Sequence, residues 1–123
     1  MRSAKVLVVD DDATIVDFVT LFLESEGFAV GKASNGEEAI ERVKRDRPDL
    51  VLLDVMMPVM DGVICCQTLK NDPSTQHLPV VMMSAQENLR GRMLTLGADD
   101  YLEKPFDVDT LLDIIERFVE TRT

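Results

Sequence analysis

Apolar residues follow two alternating rhythms along the chain, short unbroken runs and stripes of helical spacing. KVLVV (5–9) is a run of the first kind and predicts a strand. Ile15, Phe18, Val19, Phe22 and Leu23 then fall at i, i+3, i+4, i+7 and i+8, which predicts a helix with one apolar face, closed by Gly27. FAVGK (28–32) reads as a short alternating strand. SNGE (34–37) has the S-x-x-E shape of a capping box and opens a helix that turns Ala39, Ile40 and Val43 inward. Pro48 precedes the apolar strand LVLLD (50–54), and Asp61-Gly62 opens a helix carrying Cys66 and Leu69, stopped by Asn71-Asp72-Pro73. LPVVMMS (78–84) is a fourth strand, and 86–97 a fourth helix, in which Gly91 costs about 1 kcal/mol relative to Ala. ADDYLEK (98–104) is a fifth strand. Val108, Leu111, Leu112, Ile115, Phe118 and Val119 make the last and clearest amphipathic helix.

Five strands alternating with five helices predict an α/β fold, a (βα)5 parallel sheet with helices on both faces. Central strands of such a sheet are apolar throughout, whereas edge strands tolerate interruption. Strands 1, 3 and 4 are continuous; strand 2 is broken by Gly31-Lys32 and strand 5 by Asp100 and Glu103. That pattern selects the order 2-1-3-4-5 with right-handed crossovers. No linker-like or repetitive stretch interrupts the chain, so residues 1–123 are expected to form a single domain.

Charge narrows the classes of partner. With 13 Lys+Arg against 23 Asp+Glu the net charge is −10, which disfavours binding to a phosphate backbone. The amino-terminal apolar run is short and ends in acid, unlike a signal peptide, and no apolar stretch has the length needed to span a bilayer. Cys65 and Cys66 are adjacent, without a CxxC pattern or a His at metal spacing, and read as core residues in a reducing, cytoplasmic protein. His77 reads as a solvated loop residue.

Candidate chemistry concentrates at the strand ends. In an open α/β sheet the site lies beyond the carboxyl ends of the strands, at the switch between strands 1 and 3. Strand 1 ends in Asp10-Asp11-Asp12, strand 3 in Asp54, strand 4 in Ser84 and strand 5 in Lys104. Carboxylates crowded together suit a hard cation such as Mg2+, which takes carboxylates, waters and phosphate oxygens. An Asp beside such a cation can act as a nucleophile toward a phosphoryl group, with Lys104 offsetting charge and the Ser84 hydroxyl donating to an oxyanion. Asp12, placed where the first helix begins, reads instead as its cap.

Taken together, VVDDD (8–12), LLDVMMPVMDG (52–62), MMSA (82–85) and GADDYLEKPF (97–106) resemble the receiver domain of two-component response regulators over essentially the whole chain. The resemblance implies that Asp54 accepts a phosphoryl group from the phosphohistidine of a sensor histidine kinase or phosphotransfer protein. It also implies Mg2+ as the cation, with Mn2+ or Ca2+ as substitutes. Asp11, Asp54 and the Met56 backbone carbonyl would be direct ligands, and Asp10 would act through a water. Ser84 corresponds to the switch hydroxyl, Tyr101 to the switch aromatic and Lys104 to the lysine on the phosphoryl group; the Lys104-Pro105 bond is cis in this family. Met56 and Gln86, two residues beyond Asp54 and Ser84, would tune water access to the phosphoryl group.

Three functional readings compete. A stoichiometric phosphorylation switch uses Asp54, Lys104 and Ser84 together, and would signal or form a homodimer through the strand 5 face with its flanking helices. A true phosphatase or phosphotransferase needs an acid/base, and hydrolases that use an aspartyl phosphate often carry it two residues after the nucleophile, where this chain has Met56. A module that has stopped taking phosphate would have shed Asp54 or Lys104, and both are present. No G-x-G-x-x-G follows strand 1, which argues against a dinucleotide site. The chain is either a stand-alone receiver or the receiver of a longer protein.

Overall fold

The apolar runs become strands wherever a residue can bury its side chain on one face of a sheet and its backbone in a ladder. The computed structural model describes residues 4–57 and 59–120. Its elements are β1 (Lys5–Val9), α1 (Ala13–Ser25), β2 (Ala29–Ala33), α2 (Gly36–Asp46), β3 (Leu50–Asp54), α3 (Gly62–Asn71), β4 (Val80–Ser84), α4 (Arg90–Thr95), β5 (Asp100–Glu103) and α5 (Val108–Glu120). All five strands are parallel, in the order β2-β1-β3-β4-β5. This is the flavodoxin-like arrangement that the alternation of patterns predicts.

Successive strand residues point to opposite layers. Leu7, Val9, Val51, Leu53 and Met82 pack with α2 and α3, through Ala39, Val43, Cys65, Cys66 and Leu69, and with Met93 of α4. Val6, Val8, Leu50, Leu52, Val81 and Met83 pack with α1 and α5, through Val16, Val19, Leu23, Leu111, Ile114 and Ile115. Cys65 and Cys66 are free and buried, and burial pushes their thiols up to about 12 and about 11, so they behave as core side chains. His77 is exposed.

Four local expectations need correction. The buried face of α1 is Val16, Val19, Thr20 and Leu23, and Phe18 is 54% exposed. An apolar spacing rule cannot separate a core face from an apolar surface strip beside it. The α2 cap is shifted by one residue: Asn35 accepts from the Glu38 N–H at 2.9 Å, and the Glu38 carboxylate accepts from the Ser34 N–H at 2.8 Å. The box is therefore N-x-x-E, with Asn doing what Ser34 was expected to do. The strand boundaries also move inward or shift: β2 starts at Ala29, β4 at Val80 and β5 at Asp100. The fourth helix is confined to Arg90–Thr95: Asn88, with φ 63°, is left-handed and interrupts the helical backbone, and the N-cap position Leu89 offers no side-chain cap. Gly91 has open space around it.

Candidate functional site

The site is assembled where four strands end. Asp10 follows β1, and its N–H donates to the Ala33 carbonyl at 3.2 Å, so the residue is drawn into the sheet and is 2% exposed. One Asp10 oxygen accepts from the Asp12 N–H at 3.0 Å, while Asp12 accepts from the Thr14 N–H at 3.0 Å as the cap of α1. Asp11, between them, is exposed. Three adjacent acids thus take three roles: one buried, one free to face a ligand, one capping.

Asp54 closes β3 at 5% exposure and stands in register with Met83 of β4. The next residue's N–H is held by the Met83 carbonyl at 2.8 Å. Gly62, at the start of α3, lies against the Asp54 peptide; a Cβ there would sit 2.0 Å from the Asp54 carbonyl oxygen. The Gly62 N–H donates to the Val55 carbonyl at 2.9 Å, closing the loop that carries Met56. Asp61 caps α3 through the Ile64 N–H at 3.0 Å.

Lys104, at the end of β5, reaches across the strand ends. Its Nζ donates to Asp10 Oδ2 at 2.7 Å and to Asp54 Oδ1 at 3.1 Å. The Lys104-Pro105 bond is cis. Burial works against the ammonium, but the hydrogen bonds and charges of Asp10 and Asp54 outweigh it and hold Lys104 above its usual range. Burial and the neighbouring Asp10 charge push the Asp54 carboxyl up to about 6, against the opposing pull of Lys104. Two buried carboxylates share one ammonium, and Asp11 adds a third negative group.

Asp10, Asp11 and Asp54 can each offer one carboxylate oxygen, all within 4.8 Å of one another. The donors are hard oxygens and their charge exceeds that of the one lysine, so the residues fit a hard divalent cation better than a transition metal favouring N or S ligands. The cluster and the orphan negative charge are one and the same observation.

Ser84 ends β4, 2% exposed and paired in register with Glu103. Its Oγ accepts from the Gln86 N–H at 3.0 Å. Tyr101 is 2% exposed, and its hydroxyl donates to the Gln86 carbonyl at 2.9 Å. Gln86 therefore bridges the two residues through its backbone, a role independent of its side chain and invisible in the sequence. In the sequence Gly62 likewise signals only a helix start, and its close approach to Asp54 has no sequence signal beyond the Asp-Gly pair itself. Asp100, whose charge marked β5 as an edge strand, is buried at 6% although β5 is indeed at the edge. Beside Lys104 an apolar depression of about 300 Å³ is lined by Ile15, Phe18, Ala85, Pro105 and Phe106. Met56, over the loop, is 63% exposed.

A sequence model of the response regulator receiver domain matches residues 6–116. The response regulator PleD of Caulobacter vibrioides is 45% identical over 107 residues, covering 85% of this chain and 24% of that protein. The DNA-binding dual master transcriptional regulator RpaA of Synechocystis is 40% identical over 112 residues, covering 88% of this chain and 46% of that protein. The chain thus spans less than half the length of either relative. Among solved structures, the receiver domain of Francisella response regulator 1452 superposes with a TM-score of 0.90 at 31% identity, over 98% of this chain and 99% of that one. The chemotaxis protein CheY4 of Vibrio cholerae gives 0.87 at 31% identity, over 95% and 99%.

Proposed function

The chain belongs to the response regulator receiver domain family of two-component systems, and from that premise we propose that Asp54 is its phosphoacceptor. The observation that carries this is Lys104 Nζ held between Asp54 and Asp10 at 3.1 and 2.7 Å, within a cluster of three carboxylates. An Asp54 carboxylate oxygen forms the new O–P bond as the donor's N–P bond breaks and the donor imidazole leaves. Lys104 then turns its hydrogen bond from the carboxylate to a phosphoryl oxygen, where charge develops. Asp11, Asp54 and the Met56 carbonyl would hold Mg2+, Mn2+ or Ca2+, with Asp10 acting through a water; a cation held there would offset charge on the phosphoryl oxygens.

Once phosphorylated, Asp54 carries a charge of about −1.5 to −2 on its phosphoryl oxygens in place of the single carboxylate charge, and several acceptor oxygens. The Ser84 hydroxyl, at present an acceptor for Gln86, would rotate to donate to one of them. Tyr101, tied to Gln86, would carry the change to β5. The group is transferred once per cycle: Met56 stands where a turnover acid would be needed, so the chain is a stoichiometric acceptor rather than an enzyme. The donor is a sensor histidine kinase or a phosphotransfer protein. Residues 1–123 act as one receiver unit, in the cytoplasm and without contact to nucleic acid or membrane. Among the described residues no helix is long and apolar enough to cross a membrane. Readout, or dimerisation, uses the β5 face with α4 and α5.

Incubation with acetyl phosphate and Mg2+, read by intact mass, tests the assignment. The wild-type chain should gain one phosphoryl group, and Asp54→Asn none; a folded wild-type protein that takes no label overturns it. Sizing with and without a stable phosphoryl analogue tests the dimer, and an unchanged mass counts against it.

A further inference from the structure

Behind the switch pair, the buried carboxylate of Asp100 is held by two arginines from two different helices. Arg90 Nη1, on the first residue of α4, donates to Asp100 Oδ1 at 2.5 Å, and Arg117 Nη1, on α5, donates to Oδ2 at 3.1 Å. Both arginine side chains are more than half exposed, whereas that of Asp100 is 8% exposed. Arg90 makes a second tie, from Nη2 to the Tyr101 carbonyl at 2.8 Å. Tyr101 therefore holds both ends of residues 86–90: its hydroxyl holds the Gln86 carbonyl, and its own carbonyl holds Arg90. From Ser84 Oγ the contacts run through the Gln86 backbone and Tyr101 to Arg90, and on to Asp100 and α5.

We propose that Arg90 is a releasable latch on α4 and that Arg117 is what makes its release inexpensive. Helix α4 has six residues, no side-chain cap and one buried side chain, Met93, so Arg90 supplies much of what pins its start to β5. Stripping a buried carboxylate of its only cation leaves an uncompensated charge, which is strongly unfavourable. Asp100 escapes that fate because Arg117 stays in place when Arg90 lifts away. The loss is then close to that of an ordinary exposed ion pair, which is small. Rotation of the Ser84 hydroxyl toward a phosphoryl group takes away the acceptor of the Gln86 N–H, loosens the segment bracketed by Tyr101, and lets α4 leave β5. This last link rests on the phosphoacceptor reading of Asp54; the two-arginine arrangement does not.

The arrangement predicts opposite effects from two chemically identical substitutions. Hydrogen exchange of the Met93 and Leu96 amides, which donate to the Leu89 and Arg92 carbonyls at 2.9 and 3.0 Å, reports the opening of α4. Without any phosphoryl donor, Arg90→Met should raise their exchange about threefold, because the latch is gone. Arg117→Met should lower it about tenfold, because opening would now strand Asp100. Arg92→Met, on the same helix, is the control and should leave it unchanged. With beryllofluoride and Mg2+ the wild type should exchange faster in α4, and Arg117→Met should blunt that response. Both residues are exposed, and circular dichroism verifies that the variants fold. Exchange that moves in the same direction in both variants, or in neither, overturns the latch. A wild-type chain that takes no label on Asp54 overturns the phosphoacceptor reading instead, and the donor-free comparison still decides the latch.

Discussion

The interiors of the central strands and the residues that end them follow opposite rules. Val6–Val9, Leu50–Leu53 and Val80–Met83 are apolar and buried throughout, each contributing the stabilisation of apolar surface removed from water. One residue further along, Asp10, Asp54 and Ser84 are buried just as deeply and are polar. There two carboxylates lean on one ammonium, and Asp54 is pushed up to about 6. The scaffold is strongest where it is most ordinary, and it holds in place a site that without a cation is electrostatically uncomfortable. Positions that weaken the fold when altered and positions that strengthen it should therefore separate sharply along the same strands.

The largest effect belongs to the interior. Leu52→Ala, at a fully buried position of the central strand, should cost about 3–4 kcal/mol in urea unfolding. At the strand end two residues later the sign should reverse: Asp54→Asn should stabilise the metal-free protein at pH 7 by about 1–3 kcal/mol. The folded-state pKa of Asp54 lies above the ordinary 3.8, so its contribution is fully present below that value and lost as pH rises through about 6. The advantage of Asp54→Asn should accordingly shrink between pH 7 and pH 5, and saturating Mg2+ should reduce it at pH 7. Destabilisation by Asp54→Asn, or an advantage that does not depend on pH, would erase the contrast between strand and strand end.

Within the acidic triplet the separation is finer. Asp12→Ala removes a cap and should cost about 1 kcal/mol while leaving Mg2+-dependent labelling of Asp54 in place. Asp11→Ala should leave the melting temperature nearly unchanged and abolish the labelling. Identical behaviour of the two would merge roles that the geometry keeps apart. The smallest effect tests an exception in the scaffold. Among the described residues Thr20 carries the one buried side-chain oxygen without a hydrogen-bond partner, so Thr20→Val should stabilise by about 0.5–1 kcal/mol in the same assay.

The strand order was legible because burial on both faces demands unbroken apolar runs, and only β1, β3 and β4 have them. The gathering of Asp10, Asp11, Asp54 and Lys104 was legible for the same reason, since parallel strands of known order leave their carboxyl ends on one edge. What escaped the sequence depends on atoms that no residue pattern encodes. Phe18 satisfies the apolar spacing of α1 but faces the depression beside Lys104, because the helix was free to choose between two adjacent faces. Asp100 carries the charge of an exposed edge residue and is buried all the same, since Arg90 and Arg117 cover it from positions 10 residues before and 17 after. The Gln86 bridge is made by backbone atoms, for which side-chain identity gives no cue. Helix α4 starts only after the left-handed Asn88, and Gly91 lies inside it.

The contact between Gly62 and the Asp54 peptide has a practical corollary for anyone transplanting this site. A side chain at position 62 would collide with the Asp54 carbonyl, so the aspartate and the start of α3 cannot be repositioned separately. The smallest portable piece is then the whole of residues 54–62, strand end, loop and helix start, with the glycine kept. A graft that copies the carboxylates, the serine and the lysine but seats Asp54 above any other residue would carry the right chemistry on a displaced backbone.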